Sequence, residues 1–239
     1  MNKKDTLVNL LDYALACRES LESMLTVDQK TARGSYETWS AKDMLAHVTY
    51  WLSWDLKSLD MPPGSVPAIG PDTIDEENMK VFDTYSENTW DEVNSFHNRT
   101  FTDARKRVLD MSEEDLLADI VRTDGSKRKV WQQLTGHALS HMTSHFSLVY
   151  CRIGKDDQAT QLEEKTAILL RGLDESPEWR GIIQYNLACH YTLIKQSSRA
   201  VALLKQAIAL SPSLKERSAK DPNLEPIREN TENKALYGA

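Results

Sequence analysis

Gly136-His137-Ala138-Leu139-Ser140-His141-Met142-Thr143-Ser144-His145 places three histidines at i, i+4 and i+8 in a chain that holds only six. Residues four apart on a helix stack one turn above another on nearly the same face. His141 and His145 can therefore offer two imidazoles to one ion. At about 100° per residue, His137 sits roughly 80° around the axis from His145, so a straight helix rarely gives all three to a single ion. The third ligand is expected from another helix. His47 is the candidate, because a second helix of a bundle can face the fourth. Imidazole nitrogens suit Zn, Ni, Fe or Co, and three protein ligands leave a position for water or substrate. The same text could also describe hydrogen-bonded core histidines, since a pair at i, i+4 arises by chance.

Working outward, the chain reads as helix after helix. Leu7, Leu10, Leu11, Ala14, Leu15, Leu21 and Leu25 fall at helical spacing and predict a first helix over about Lys4 to Leu25. Ser40 with Asp43 three residues on is a capping-box signal, opening a second helix to about Leu59 whose apolar face includes Met44, Leu45, Val48, Trp51, Leu52 and Leu56. Asp43 could also orient the second nitrogen of His47, one turn on, but the cap is the simpler role. Met61 to Pro71 holds four prolines and two glycines and reads as a long connection, either lying over the mouth of a bundle or an ordered crossover without a role. Helix resumes near Ile74, breaks near Asn88, restarts behind Thr89 and Glu92, and runs to about Leu109, carrying His97 as an exposed or rim histidine. Ser112-Glu113-Glu114-Asp115 begins a short turn or helix with Leu116 and Leu117 inward. Thr123-Asp124-Gly125-Ser126 is a turn. Lys127-Arg128-Lys129 reads as a solvated helix start. The histidine helix then covers about Lys129 to Arg152, with Gly154 as its C-cap. No β signal stands out.

These elements predict an all-α protein with a four-helix bundle over residues 1–154. Residues 155–239 form a second, helical segment with helices over Ala159–Leu173, Ile182–Ile194 and Ser198–Leu210. Leu187, Ala188, Tyr191, Ala200, Leu204, Ala207 and Pro212 follow the tetratricopeptide pattern across one unit of about 34 residues. One unit cannot form a peptide-binding superhelix. Asp221 to Pro226 reads as an irregular strap, and the tail beyond Asn230 as frayed.

Composition removes several functions. A net charge of -7 without a basic tract disfavours nucleic acid. No apolar run is long enough to span a membrane, and the first residues are too polar for a secretory leader. Cys17, Cys151 and Cys189 are odd in number and widely spaced, which fits reduced thiols and a cytoplasmic protein rather than a disulfide framework. No glycine-rich phosphate loop occurs. Ser40 and Cys151 have no triad partners at recognisable spacing, so no residue is singled out as catalytic. Trp39, Trp51, Trp54 and Trp131 could line an apolar pocket above the histidines, with hydroxyls from Tyr50 and Tyr150, though each reads first as core.

Trp39-Ser40-Ala41-Lys42-Asp43, then His47, then the histidine row, together resemble the DinB-like superfamily, in particular its ClbS/DfsB-type four-helix bundle, over about residues 1–154. The resemblance implies an up-up-down-down bundle with a long connection between its second and third helices. It implies a metal triad of one histidine from the second helix and two from the fourth, here His47, His141 and His145, with His137 as a frequent extra histidine. The arginine-glycine pair often following the last family histidine is replaced by Phe146-Ser147. The resemblance spans thiol transfer with a low-molecular-weight thiol such as bacillithiol or mycothiol, maleylpyruvate isomerisation, and hydrolytic protection against a reactive natural product. Tyr185 to Tyr191 likewise resembles a bacterial tetratricopeptide end segment.

The leading expectation is a hydrolase or thiol transferase that uses a divalent ion (Zn, Ni or Fe) on a small electrophilic molecule. The alternative is a non-catalytic small-molecule-binding or protein-interaction scaffold with structural histidines. Helix packing is compatible with a homodimer, but no residue specifies one.

Overall fold

The computed structural model describes residues 2–228, apart from the side chains of Pro71, Asp72, His137 and Ala138. The side chain of the extra histidine, His137, and the expected frayed tail beyond Asn230 thus lie outside what is described. The chain is all-α in character and divides into two compact units, residues 1–149 and 150–239.

The first unit begins with α1 (Lys3–Met24), capped by the Asn2 side chain, which accepts from the Asp5 amide. A short α2 (Val27–Thr31) follows, then α3 (Ala41–Ser58), α4 (Pro71–Tyr85) and α5 (Trp90–Asp110). The capping signals act as expected. Ser40 and Asp43 cap α3 reciprocally, and Thr89 and Glu92 do the same for α5. α3 lies at the centre, in contact with α4, α5 and the histidine-bearing segment. Its near-continuous burial explains the position: Met44, Leu45, Ala46, Val48, Trp51 and Leu52 are all at most 3% exposed. α1 and α5 complete the core with Leu7, Leu10, Val93 and Phe101. The ammonium of buried Lys42 donates to the carbonyls of Ser86 and Asn88, at 2.7 and 2.6 Å, and satisfies the end of α4 where the chain turns into α5.

Four sequence expectations are corrected in this unit. After α6 (Glu113–Leu117), strands β1 (Asp119–Val121) and β2 (Lys127–Lys129) form an antiparallel hairpin, closed by Gly125 at φ +81°. Lys127-Arg128-Lys129 is therefore a strand, and Arg128 is half-buried within it. Leu116 is buried but Leu117 is 45% exposed, because a five-residue helix presents only one of the two adjacent side chains inward. His97 is fully buried, for a reason given below.

The proline-rich connection runs along this hairpin. The Gly64 amide donates to the Val121 carbonyl, the Thr123 amide to the Val66 carbonyl, and Val66 pairs with Arg122 in an isolated parallel bridge. Connection and hairpin border a cleft of about 600 Å³ lined by Ser58, Met61, Val66, Arg107, Ile120 and Val130 among others. None of the three candidate histidines lines it.

The histidine segment is not one straight helix. α7 (Val130–Thr135) passes through a π-turn (Gly136–Ser140) into α8 (His141–Arg152), with the His141 amide donating to the Gly136 carbonyl five residues back. A π-turn absorbs one extra residue. Gln133 and His141, eight residues apart, would stand about 80° apart on an α-helix; with one residue absorbed the offset falls to roughly 20°. The π-turn thus puts Gln133 and His141 on a common face.

The second unit contains α9 (Asp156–Arg171), α10 (Pro177–Leu193) and α11 (Ser197–Leu210), then α12 (Leu214–Lys220), a 3-10 turn (Pro222–Leu224) and α13 (Glu225–Arg228). The stretch expected as an irregular strap is therefore mostly helical turns. Gly154 takes φ +73° after α8, as a C-cap requires. α10 and α11 share a core of Tyr185, Ala188, Tyr191, Ala200, Leu204 and Ala207, closed by Leu224 and Ile227. The alanines let the helices approach, and a Cβ on Gly181 would stand 2.9 Å from Ser211 Cβ and 3.2 Å from the Ala207 carbonyl oxygen.

Candidate metal centre

His47 is carried by α3, His141 opens α8, and His145 follows one turn later. The structure brings these three together: one ligand nitrogen from each lies within 4.8 Å of the others. His47 Nε2 is 3.1 Å from His141 Nε2, and His145 Nε2 is 3.0 Å from the same atom. The ring planes are steeply inclined, at 70° and 80° for those two pairs, so the nitrogens converge while the rings diverge.

One imidazole nitrogen carries either a proton or a lone pair. His141 Nε2 therefore cannot make two good hydrogen bonds, one to each neighbour, in any fixed tautomer. A cation held by three lone pairs resolves that conflict. Nitrogens at 2.0–2.1 Å from a tetrahedral ion stand about 3.3 Å apart, and on an octahedral face about 3.0 Å. The two spacings to His141 need only a few tenths of an ångström of adjustment, while the third pair, within 4.8 Å, closes as the His47 and His145 rings swing toward the ion. His47 is buried, whereas His141 and His145 are half-buried.

The surroundings are aromatic. Trp39 packs edge-on against His47 with ring centroids 4.5 Å apart, and Trp51 stands edge-on to the same ring at 6.4 Å. Tyr36 and Phe82 close around Trp39 at 6.2 and 6.0 Å. The Trp51 indole donates to Asn78 Oδ1 on α4. Of the other aromatic candidates, Trp54 and Tyr50 pack against Trp51, and buried Trp131 carries the Lys3 ammonium over its ring. Tyr36, Phe82 and Asn78 were not legible as site residues, because they come from a loop and from the exposed-looking α4.

Asp43 is the cap and not a partner of His47. Its Oδ2 accepts from the Ser40 hydroxyl at 2.7 Å, the Ser40 amide at 2.9 Å and the Gly34 amide at 3.1 Å. A Cβ at Gly34 would stand 2.2 Å from that oxygen, so only glycine allows this approach. His97 belongs to a separate contact. Its Nδ1 lies 3.0 Å from Thr49 Oγ1, which itself donates to the Leu45 carbonyl. Thr49 therefore accepts, and His97 Nδ1 donates. Burial, and then the nearby Arg18 cation, push the His97 pKa down to about 3, so this ring is neutral.

The thiols are poorly suited to act as nucleophiles. Burial pushes Cys151 up to about 11, aided by Asp156, and Cys189 up to about 12. No disulfide joins them, and no helix among the described residues is long and apolar enough to cross a membrane.

Comparisons with models of known protein families, with curated proteins and with solved structures return no match.

Proposed function

We propose that His47, His141 and His145 bind a divalent metal ion, and that the protein is a hydrolase or thiol transferase acting on a small electrophilic molecule. The observation that carries this reading is the convergence of three Nε2 atoms on one point from two helices. Three protein ligands with partial exposure fit an open, catalytic type of site better than a closed structural one. A bound ion supplies Lewis acidity, which ionises a water or thiol nucleophile near neutral pH. Trp39 and Trp51 flank His47, exclude water from that side and offer an apolar wall to a substrate. The thiol of a transfer reaction comes from a soluble low-molecular-weight thiol, since burial holds the chain's own cysteines in the protonated form. Zn, Ni and Fe all suit this donor set. The resemblance of the Trp39–Asp43 segment and the histidine row to DinB-like bundles of the ClbS/DfsB type supports the same reading. On it, residues 1–154 are the metal-binding bundle and 155–239 a tetratricopeptide-like appendage.

The test is turnover by zinc- and nickel-loaded full-length protein of a chromogenic ester and of an aryl halide with added thiol, beside His141→Ala. In the transfer assay the thiolate displaces halide, and one proton and one halide ion are released per thioether formed. Metal-dependent turnover lost in His141→Ala supports the reading; equal rates with and without metal, in parent and variant alike, contradict it.

A further inference from the structure

A second polar cluster lies on the same helix pair. Asp55 follows His47 by eight residues on α3, and Gln133 precedes His141 by eight. Both are fully buried, and Gln133 Nε2 donates to Asp55 Oδ1 at 2.6 Å. Arg122 Nη2 donates to Gln133 Oε1 at 3.3 Å. The Arg128 head lies against Gly136 at the start of the π-turn: a Cβ on Gly136 would stand 2.7 Å from its Nη2 and 3.4 Å from its Cζ.

The hairpin register puts both arginines on one face. Arg128 pairs with Ile120, which is buried, and Arg122 is two residues beyond Ile120. Side chains two apart share a face, and diagonal cross-strand neighbours are within reach of long side chains. The Arg122 backbone is held from both sides, its amide donating to the Ser126 carbonyl and its strand bridged to Val66.

Two guanidinium groups therefore lie beside the Asp55–Gln133 pair, Arg122 bonded to the Gln133 amide oxygen and Arg128 within the field of the Asp55 carboxylate. Arg122 Nε is buried with no hydrogen-bond partner. Arg128 makes no hydrogen bond and no ion pair among the described residues, although it is half-buried and a guanidinium carries five donors. Burial and the neighbouring Arg122 charge pull Arg128 below the usual guanidinium range, and Asp55 only partly offsets them. An excess cation with unmet donors in a rigid fork matches the geometry of a carboxylate or phosphate.

We infer that Arg122 and Arg128 bind an oxyanion, the carboxylate or phosphate group of the substrate. Gly136, beneath Arg128, precedes His141 by five residues, or roughly 7 Å along the helix axis. The substrate class is thus an electrophile whose anionic group lies about that far from the reacting atom. That last step rests on the metal reading; the anion site itself rests on the arginines alone.

The experiment uses chelator-treated, metal-free full-length protein. Arginine Nε–H resonances, assigned with Arg122→Lys and Arg128→Lys, are followed during separate titrations with inorganic phosphate and with acetate. A saturable shift of the Arg122 and Arg128 signals is expected. Phosphate alone assigns a phosphoryl group and acetate alone a carboxylate. Arg128→Met, which removes an unpaired charge, should keep or raise the thermal midpoint while binding the anion roughly tenfold or more weakly. Gly136→Ala has helical backbone angles and cannot strain there, so it folds; its Cβ displaces the Arg128 head and should weaken the anion several-fold. No shift at millimolar phosphate or acetate overturns the inference, as does an unchanged titration in both Arg128→Met and Gly136→Ala. A failed titration in protein that still takes up zinc sinks the anion site and leaves the metal reading standing.

Discussion

His47 and His141 meet through their Nε2 atoms at 3.1 Å although 94 residues separate them. The meeting depends on two local devices. The Ser40–Asp43 cap starts α3 at a fixed residue, and the π-turn sets the azimuth of His141.

Trp39 should report ion binding. Its ring centroid lies 4.5 Å from that of His47, so a paramagnetic ion at the triad quenches its emission. Titration with Co or Ni should lower tryptophan fluorescence in the parent and by much less in Trp39→Phe. Equal fractional quenching in both would place the ion elsewhere.

Asp43→Ala should lower stability without removing metal. The substitution leaves the Ser40 and Gly34 amides short of an acceptor in a nearly buried position, at a cost of roughly 1–3 kcal/mol. Denaturant unfolding gives the loss, and metal stoichiometry of the folded protein should match the parent. Loss of metal with unchanged stability would mean that Asp43 supports His47 directly.

Acid should destabilise the first unit through His97. Its folded pKa of about 3 lies below the ordinary 6.5, so between those values the unfolded chain binds a proton that the folded chain refuses. Stability is intact above about pH 6.5 and falls as pH drops toward 3. His97→Met should cost about 1 kcal/mol at pH 7, where it loses the Thr49 hydrogen bond, yet show a shallower decline on acidification. Parallel stability curves for parent and variant would contradict this.

Gly181→Ala should destabilise the second unit by roughly 1–3 kcal/mol, because the added methyl meets Ser211 Cβ and backbone at Ala207, neither of which is a flexible side-chain end. Thermal unfolding measures it. An unchanged midpoint would show that α10 and α11 can separate freely.

The helices were legible because their caps and apolar stripes agree, as Thr89–Glu92 and the α5 face show. That face also held the clue to His97. Val93, His97, Phe101, Ala104 and Val108 recur at helical spacing, so the histidine sits on the buried stripe. The hairpin was not legible: its strands are three residues long, one is Lys-Arg-Lys, and the pairing is completed by distant Val66. For the same reason Arg128 read as part of a solvated helix start, and nothing singled out Arg122. The π-turn has no composition of its own, and what it does, aligning Gln133 with His141, appears only once α3 is beside it. His47, His141 and His145 were legible as candidates by type and spacing, while their convergence is tertiary.

Elemental analysis by inductively coupled plasma mass spectrometry of untagged protein, parent beside His47→Ala, tests the central claim most directly. Near one equivalent of Zn, Ni or Fe in the parent, lost in the variant, is the expected result. A parent that takes up no ion after reconstitution with each would contradict it.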